Sequence, residues 1–395
     1  MVDPWLTIVG IGEDGLSGLS DASRSAVSKA QVIFGAPRHL ALCDAGDRGR
    51  EWPVPFSVDP VLALRGQPVV VLASGDPFWH GAGGSLSAHI EPGEWVAHPA
   101  PSTFSIAASR LAWRLEETLC IGLHAAPFER LVPILARDAR IICLMRDGSA
   151  VAELAAWLTS KGFGPSTLTV MEALGGPNER VRTVSADAFD LSDIAHPVAV
   201  GLLAGGAAGL SRACGLDDDT FAHDGQITKR PIRALTLSAL APRPGERLWD
   251  LGAGSGSVSV EWCLAAPSAT STAVEARADR MLNITQNATD FGLAHRLSAV
   301  EGKAIDRLDD LPTPNAVFIG GGASDALLTA VWERIPQGTR LVGNAVTLET
   351  EMLFTNWHAD KGGSLMRVEL AEAEPLGRMR GWARARPVVQ WSVTR

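Results

Sequence analysis

The sequence predicts an α/β protein made of two successive open-sheet domains, the second a doubly wound parallel sheet. Two strand-length runs, Val69-Val70-Val71-Leu72-Ala73 and Ala316-Val317-Phe318-Ile319, are apolar at every position. Parallel strands covered by helices on both faces have that composition. Each run stops at small residues, Ser74-Gly75-Asp76-Pro77 in one case and Gly320-Gly321-Gly322 in the other. A third stretch, Asp250-Leu251-Gly252-Ala253-Gly254-Ser255-Gly256-Ser257, joins a strand to a helix through alternating glycines. Ligands of open α/β sheets gather beyond such strand ends, near free N–H donors of the following helix.

Composition sets limits on this picture. The chain has 395 residues, which at roughly 150 per domain calls for two or three domains. Hydrophobic residues make up 46% and charged residues 20%, so long disordered stretches are not expected. A net charge of −9 argues against a general nucleic-acid-binding surface. The five cysteines are scattered singly, which fits inert thiols in a reducing compartment. Neither a leader-like segment nor an apolar run of membrane-spanning length occurs, and the expectation is a cytoplasmic protein that does not enter a membrane. No tyrosine is present, which excludes a tyrosine nucleophile or base.

In chain order, Leu6 to Gly12 reads as a buried strand entering a glycine turn, and Ser20 is placed to cap a helix whose face is Ala22, Ala26, Val27 and Ala30. Gln31–Gly35 and Pro68–Ala73 follow as strands. The loop Pro99 to Ile106 opens a helix from Ala107 to Trp113. Arg140–Leu144, Leu168–Glu172 and Pro197–Leu203 continue the β pattern. Glycines 205, 206 and 209 and the acidic run Asp217-Asp218-Asp219 then mark a boundary, giving domains at 1–205 and 223–395 with a linker at 206–222. The acidic run reads as a solvated loop. Beyond it come a helix from Pro231 to Leu240, the glycine stretch, strand Thr270–Glu275, a helix from Arg277 to Phe291, and strands at Leu297 and Ala316.

The glycine stretch reads Gly-x-Gly-x-Gly, with Asp250 ahead of it and Glu275 about 20 residues on, where related folds hold ribose hydroxyls. A dinucleotide fingerprint is spaced differently and cradles a pyrophosphate. S-adenosylmethionine carries a sulfonium and an ammonium instead, and tolerates neighbouring carboxylates. That cofactor is the one expected here.

Val9-Gly10-Ile11-Gly12, Ser74-Gly75-Asp76-Pro77 and Pro101-Ser102-Thr103-Phe104-Ser105 resemble the tetrapyrrole methyltransferase superfamily of cobalamin and sirohaem synthesis. The resemblance covers about the first 200 residues. It implies a two-lobed fold with S-adenosylmethionine between the lobes, held by Gly10, Gly75, Asp76, Trp79, Ser102 and Thr103. The family's Gly-x-Gly-Pro-Gly-Asp opening is here Gly10-Ile11-Gly12-Glu13-Asp14-Gly15. In the second half, Gln226-Ile227-Thr228-Lys229, the glycine stretch, Phe318 to Gly322 and Gly343 to Glu349 resemble the decarboxylating precorrin-6 methyltransferases of corrin synthesis. The cofactor contacts implied there are Thr228, Asp250, Gly252, Ala253, Gly254, Ser255, Gly256, Glu275 and Ala304.

The chain as a whole thus resembles a family in which both activities are fused. The implied reaction is methylation of precorrin-6 at carbons 5 and 15 with loss of a ring C acetate carboxyl, giving precorrin-8, with a cofactor site in each domain and no metal. An electron-rich bridge carbon attacks the sulfonium methyl in line, so position and exclusion of water matter most. Lys229, Arg233, Arg378 and Arg380 are the expected anchors for substrate carboxylates. His223 and His295 are available as proton donors, although single histidines are more often structural. A homo-oligomer is expected by analogy with stand-alone second-domain enzymes. The alternative is an RNA methyltransferase using the second domain, with terminal arginines on phosphate; it leaves the first half without a role.

Overall fold

The computed structural model describes residues 4–395, so the first three residues of the expected N-terminal domain lie outside the described residues. Two compact units result. Unit 1 runs to Phe128 and resumes over Ile134–Gly209; unit 2 comprises Glu129–Pro133 and Leu210–Arg395.

Unit 1 contains two sheets. The first is parallel: β1 (Leu6–Ile11), β2 (Val32–Gly35), β3 (Gly49–Glu51), β4 (Val69–Ser74) and β5 (Trp95–His98), in the order β3-β2-β4-β1-β5. Side chains alternate across a strand, so the continuous apolar run of β4 feeds two cores. Val69 and Val71 pack with Leu6, Ile8 and Phe34 on one face. Val70 and Leu72 pack with Val9, Ile11 and Ile33 on the other, under the helix Asp21–Lys29. The Ser20 hydroxyl caps that helix by accepting from Ser23 N (3.2 Å).

The second sheet consists of β6 (Leu119–Gly122), β7 (Arg140–Leu144), β8 (Thr167–Glu172), β9 (Arg180–Ser185) and β10 (Val198–Leu203), ordered β6-β7-β10-β8-β9. Of its neighbouring pairs only β6 with β7 is parallel. The buried Glu172 carboxylate at the end of β8 pairs with Arg180 (2.6 Å) and Arg182 (2.9 Å), fastening β9 to it.

Unit 2 is the doubly wound sheet. Its strands β11 (Arg247–Leu251), β12 (Thr270–Glu275), β13 (Leu297–Glu301), β14 (Ala316–Ile319), β15 (Arg340–Ala345), β16 (Ser364–Val368) and β19 (Val388–Thr394) run in the order β13-β12-β11-β14-β15-β19-β16. The strands from β13 to β15 are mutually parallel, and β19 joins antiparallel. Strand order reverses between β11 and β14, which makes their carboxyl ends the topological switch point. A separate ribbon, β17 (Ala371–Leu376) with β18 (Met379–Arg384), stands exposed between β16 and β19.

The expected linker differs from what the chain builds. From Leu210 onward it belongs to unit 2, and Leu216 and Phe221 enter that unit's core. The acidic run is not simply a solvated loop, because Asp218 pairs with the buried Arg233 (3.1 Å). Among the described residues no helix is long and apolar enough to cross a membrane.

Candidate functional sites

In unit 1 the ends of β1 and β4 and the loop after β5 close on one another. A Cβ on Gly10 would lie 1.9 Å from the Gly75 carbonyl oxygen, so only glycine lets the two loops meet. Gly75 itself has φ of +56°, and its N–H donates to Ile11 O (3.0 Å) while Ala100 N donates back to its carbonyl (3.1 Å). Ser102 caps the helix Thr103–Leu111, its hydroxyl accepting from Ser105 N (3.1 Å).

These loops border a cavity of about 590 Å³ whose wall includes Gly75, Trp79, Ser102, Thr103, Leu174 and Pro197. Trp79 packs against Phe104 with ring centroids 4.8 Å apart and the rings tilted by 37°. Gly10 stands behind this wall. Asp76 is engaged within its own turn, accepting from Phe78 N (2.8 Å).

Sequence reasoning missed a charged group on the same wall. Arg38, early in the helix Pro37–Leu42, pairs with Glu13 and donates to Ser74 Oγ (2.9 Å) and His39 Nε2 (3.0 Å). Burial, reinforced by the Arg38 charge, pushes the His39 imidazole down to about 4. It therefore stays neutral at physiological pH, and its Nε2 is free to accept.

In unit 2 the glycine stretch lies at the switch point. Gly252, Gly254 and Gly256 all have left-handed φ, at +73°, +60° and +73°. A Cβ on Gly252 would sit 2.4 Å from Gly321 O, so the loops after β11 and β14 touch backbone to backbone. Gly254 approaches Gln226 O and has open space otherwise, and Gly322 meets nothing within 4 Å. This backbone cradle has the Glu275 carboxylate set against the N–H of Gly254, which suits a nucleoside better than a pyrophosphate.

Glu275, at the end of β12, accepts from Gly254 N (2.8 Å) and Arg277 N (3.0 Å), which ties the second acid to the turn. Ser255 is buried; its carbonyl accepts from Asn287 Nδ2 (2.8 Å), a contact sequence reasoning missed. Ala253 is half-buried beside the turn, and Ala304 opens the short helix Ala304–Arg307 after β13. Thr228 lies one residue before the helix cap Lys229, and its carbonyl accepts from Arg233 Nη1 (2.6 Å).

Three sequence expectations need correction. Arg233 is fully buried: its Nε donates to Glu261 (2.6 Å), and its guanidinium lies 4.6 Å from the centre of the Phe221 ring. It holds the segment before the helix in place and presents nothing to a substrate. Asp250 is also fully buried, accepting from Ser259 Oγ (2.6 Å), and burial pushes its carboxyl up to about 6. Only Oδ2 is engaged by Ser259; the other oxygen, Oδ1, is buried without a hydrogen-bond partner in the protein. His295 precedes the amino end of β13, at the opposite edge of the sheet from the crevice. His223 spends its Nδ1 accepting from Gly225 N (2.9 Å). Lys229 is exposed beside Asp218 (3.5 Å), while Arg378 and Arg380 lie exposed on the β17–β18 ribbon.

Two families match this division. Residues 5–190 match the tetrapyrrole (corrin/porphyrin) methylases, and residues 219–395 match the precorrin methyltransferase domain. A Sinorhizobium protein named precorrin-6Y C(5,15)-methyltransferase [decarboxylating] is 48% identical over 404 residues, covering 100% of this chain and 97% of its own. The chain belongs to the decarboxylating precorrin-6Y C5,15-methyltransferase family. A Mycobacterium tuberculosis (strain ATCC 25618 / H37Rv) protein of the same name is 40% identical over 400 residues, covering 99% of this chain and all of its own. The solved C-terminal domain of precorrin-6Y C5,15-methyltransferase from Rhodobacter capsulatus is 58% identical, with 47% of this chain and 100% of that one covered at a TM-score of 0.46. As a family member, the chain is an S-adenosylmethionine-dependent methyltransferase of cobalamin biosynthesis. The match over both halves displaces the RNA methyltransferase alternative.

Proposed function

We propose that this chain methylates precorrin-6 at carbons 5 and 15 and removes the ring C acetate carboxyl, giving precorrin-8. Carbon 5 is assigned to unit 1, and carbon 15 with decarboxylation to unit 2, each unit having its own cofactor site. The observation that carries this reading is the pair of dissimilar strand-end sites on one chain, each within the residues matched by a different methyltransferase family.

S-adenosylmethionine supplies an electrophilic methyl group when bound. Ser102, Thr103, Gly75 and Trp79 would hold it in unit 1. Gly252 to Gly256, Thr228, Ala304 and Glu275 would hold it in unit 2. The residues' own work is positional. The left-handed glycines keep the turn low, Glu275 fixes it through Gly254 N–H, and Asp250 and Ser259 brace it from below. Apolar side chains around the unit 1 cavity keep water from the reacting carbon. Lys229, Arg378 and Arg380 remain the proposed anchors for substrate carboxylates in unit 2. The chain also assembles as a homo-oligomer on this reading, supported by exposed Leu376, Met379 and Trp382 on the ribbon.

Incubating the full chain with precorrin-6 and methyl-labelled cofactor tests the reaction: two methyl gains and one carbon dioxide loss are expected by mass. Glu275→Ala tests the assignment of the second unit. Carbon-15 methylation and carbon dioxide release should fall together, with cofactor affinity at one of two sites reduced about tenfold or more. Carbon dioxide release at the wild-type rate would overturn it.

A further inference from the structure

Among the described residues lining the unit 1 cavity, Arg38 is the single lysine or arginine and Glu13 the single carboxylate. They pair with each other, although each sits in a different loop: Glu13 follows β1 and Arg38 follows β2. Neither is fully sealed, the side chains being 30% and 16% exposed.

The Arg38 end is anchored independently of Glu13. Its Nη2 is held by Ser74 Oγ and His39 Nε2, and those two groups are within 2.9 Å of each other. A neutral His39 offers an acceptor without adding a competing positive charge. The Glu13 end is set by backbone packing, since a Cβ on Gly176 would lie 2.5 Å from Glu13 Cβ. The guanidinium is therefore fixed at the wall with an internal carboxylate on one edge.

We propose that Arg38 is the specificity-determining anchor for a carboxylate arm of the substrate, and that Glu13 occupies it until that arm enters. The inference rests on the reading that unit 1 takes the tetrapyrrole. A guanidinium matches a carboxylate edge to edge, whereas a second carboxylate brought beside Glu13 is repelled. An incoming acetate or propionate arm exchanges one ion pair for another of the same chemistry. The half-buried guanidinium is then never left unpaired in the empty state. Glu13 also discriminates, because an esterified or absent arm gives no carboxylate to replace it.

The test uses the full chain with precorrin-6 and follows carbon-5 methylation, with cofactor binding and thermal unfolding measured on each variant. Arg38→Ala should raise KM for precorrin-6 about 10- to 100-fold with kcat changed much less, and Arg38→Lys should recover part of the loss. Glu13→Gln removes the competitor and should lower KM about threefold or more. An unchanged KM in Arg38→Ala overturns the anchor. A raised KM in Glu13→Gln overturns displacement and makes Glu13 a support for Arg38. If Arg38→Ala loses its fold, Glu13→Gln decides alone. Failure of the underlying reading looks different: Gly75→Val would then leave carbon-5 methylation intact.

Discussion

Unit 1 and unit 2 each end a buried parallel strand in a small-residue loop, but they hold those loops by different means. In unit 1 the loop is fixed by a hydroxyl cap at Ser102 and by close backbone approach at Gly10, beside a wall carrying one ion pair. In unit 2 it is fixed by left-handed glycines and by carboxylates: Glu275 on an N–H of the turn, Asp250 on Ser259 beneath it. On the proposed reading, neutral caps leave the unit 1 cavity free to carry charge for a substrate, whereas unit 2 uses its carboxylates to shape the turn and would draw substrate-facing charge from elsewhere.

The largest effect is expected where unit 2 depends on a buried charge. Arg233→Met strands Glu261 and should destabilise unit 2 by about 3–5 kcal/mol, read as a lowered unfolding midpoint for that unit alone. A single transition shifted for both units together would show that the units do not unfold separately. Next comes Gly252→Val, which combines a left-handed φ with a collision against Gly321 backbone. It should cost about 1–3 kcal/mol of local strain and abolish carbon dioxide release, with cofactor binding in unit 1 preserved.

Titration sharpens the comparison further. His39 has a folded pKa of about 4 against an ordinary 6.5, so the unfolded chain binds the extra proton between those values. Its contribution to unit 1 stability is present above about 6.5 and is lost as pH falls toward 4. Asp250 is the reverse, with a folded pKa of about 6 against 3.8. The folded state binds the extra proton, so its contribution to unit 2 declines as pH rises from about 4 to 6. His39→Gln and Asp250→Asn should therefore change the pH slopes of stability in opposite senses across that window. Slopes changed in the same direction would break the contrast. The smallest expected effect is Ser102→Ala: loss of the cap costs about 1 kcal/mol and should raise the unit 1 cofactor dissociation constant a few-fold.

Much of this was legible in the sequence for local reasons. Continuous apolar runs announced β4 and β14, a serine at the right offset announced the Ser20 cap, and glycine spacing with two acids announced the unit 2 turn, whereas the helix expected from Ala107 starts at Thr103 under an unread Ser102 cap. What stayed hidden depends on partners distant in sequence. Arg233 read as an anchor for substrate carboxylates because Glu261, 28 residues away, was not visible as its partner. Arg38 and Glu13 meet only once β1 and β2 lie in one sheet. Asn287 left a readable trace: it falls on the buried face of the helix Ala278–Asp290 with Ile284 and Ala288, and an amide on an apolar stripe signals a specific bond.

The Arg233 cluster also determines where the chain can be cut. Glu261 accepts from Gly215 N (2.6 Å) and Leu216 N (2.9 Å), and Arg233 donates to the Leu216 carbonyl. A second unit excised at residue 223, where the local sequence reads as a natural start, would leave a buried guanidinium and carboxylate short of the backbone groups that complete them. A seam around Gly209 and Leu210 keeps those groups together, while the short piece Glu129–Pro133 of unit 2 stays on the first polypeptide. Separating the polypeptide there keeps the intervening stretch, with Leu216 and Phe221, in the core to which it belongs.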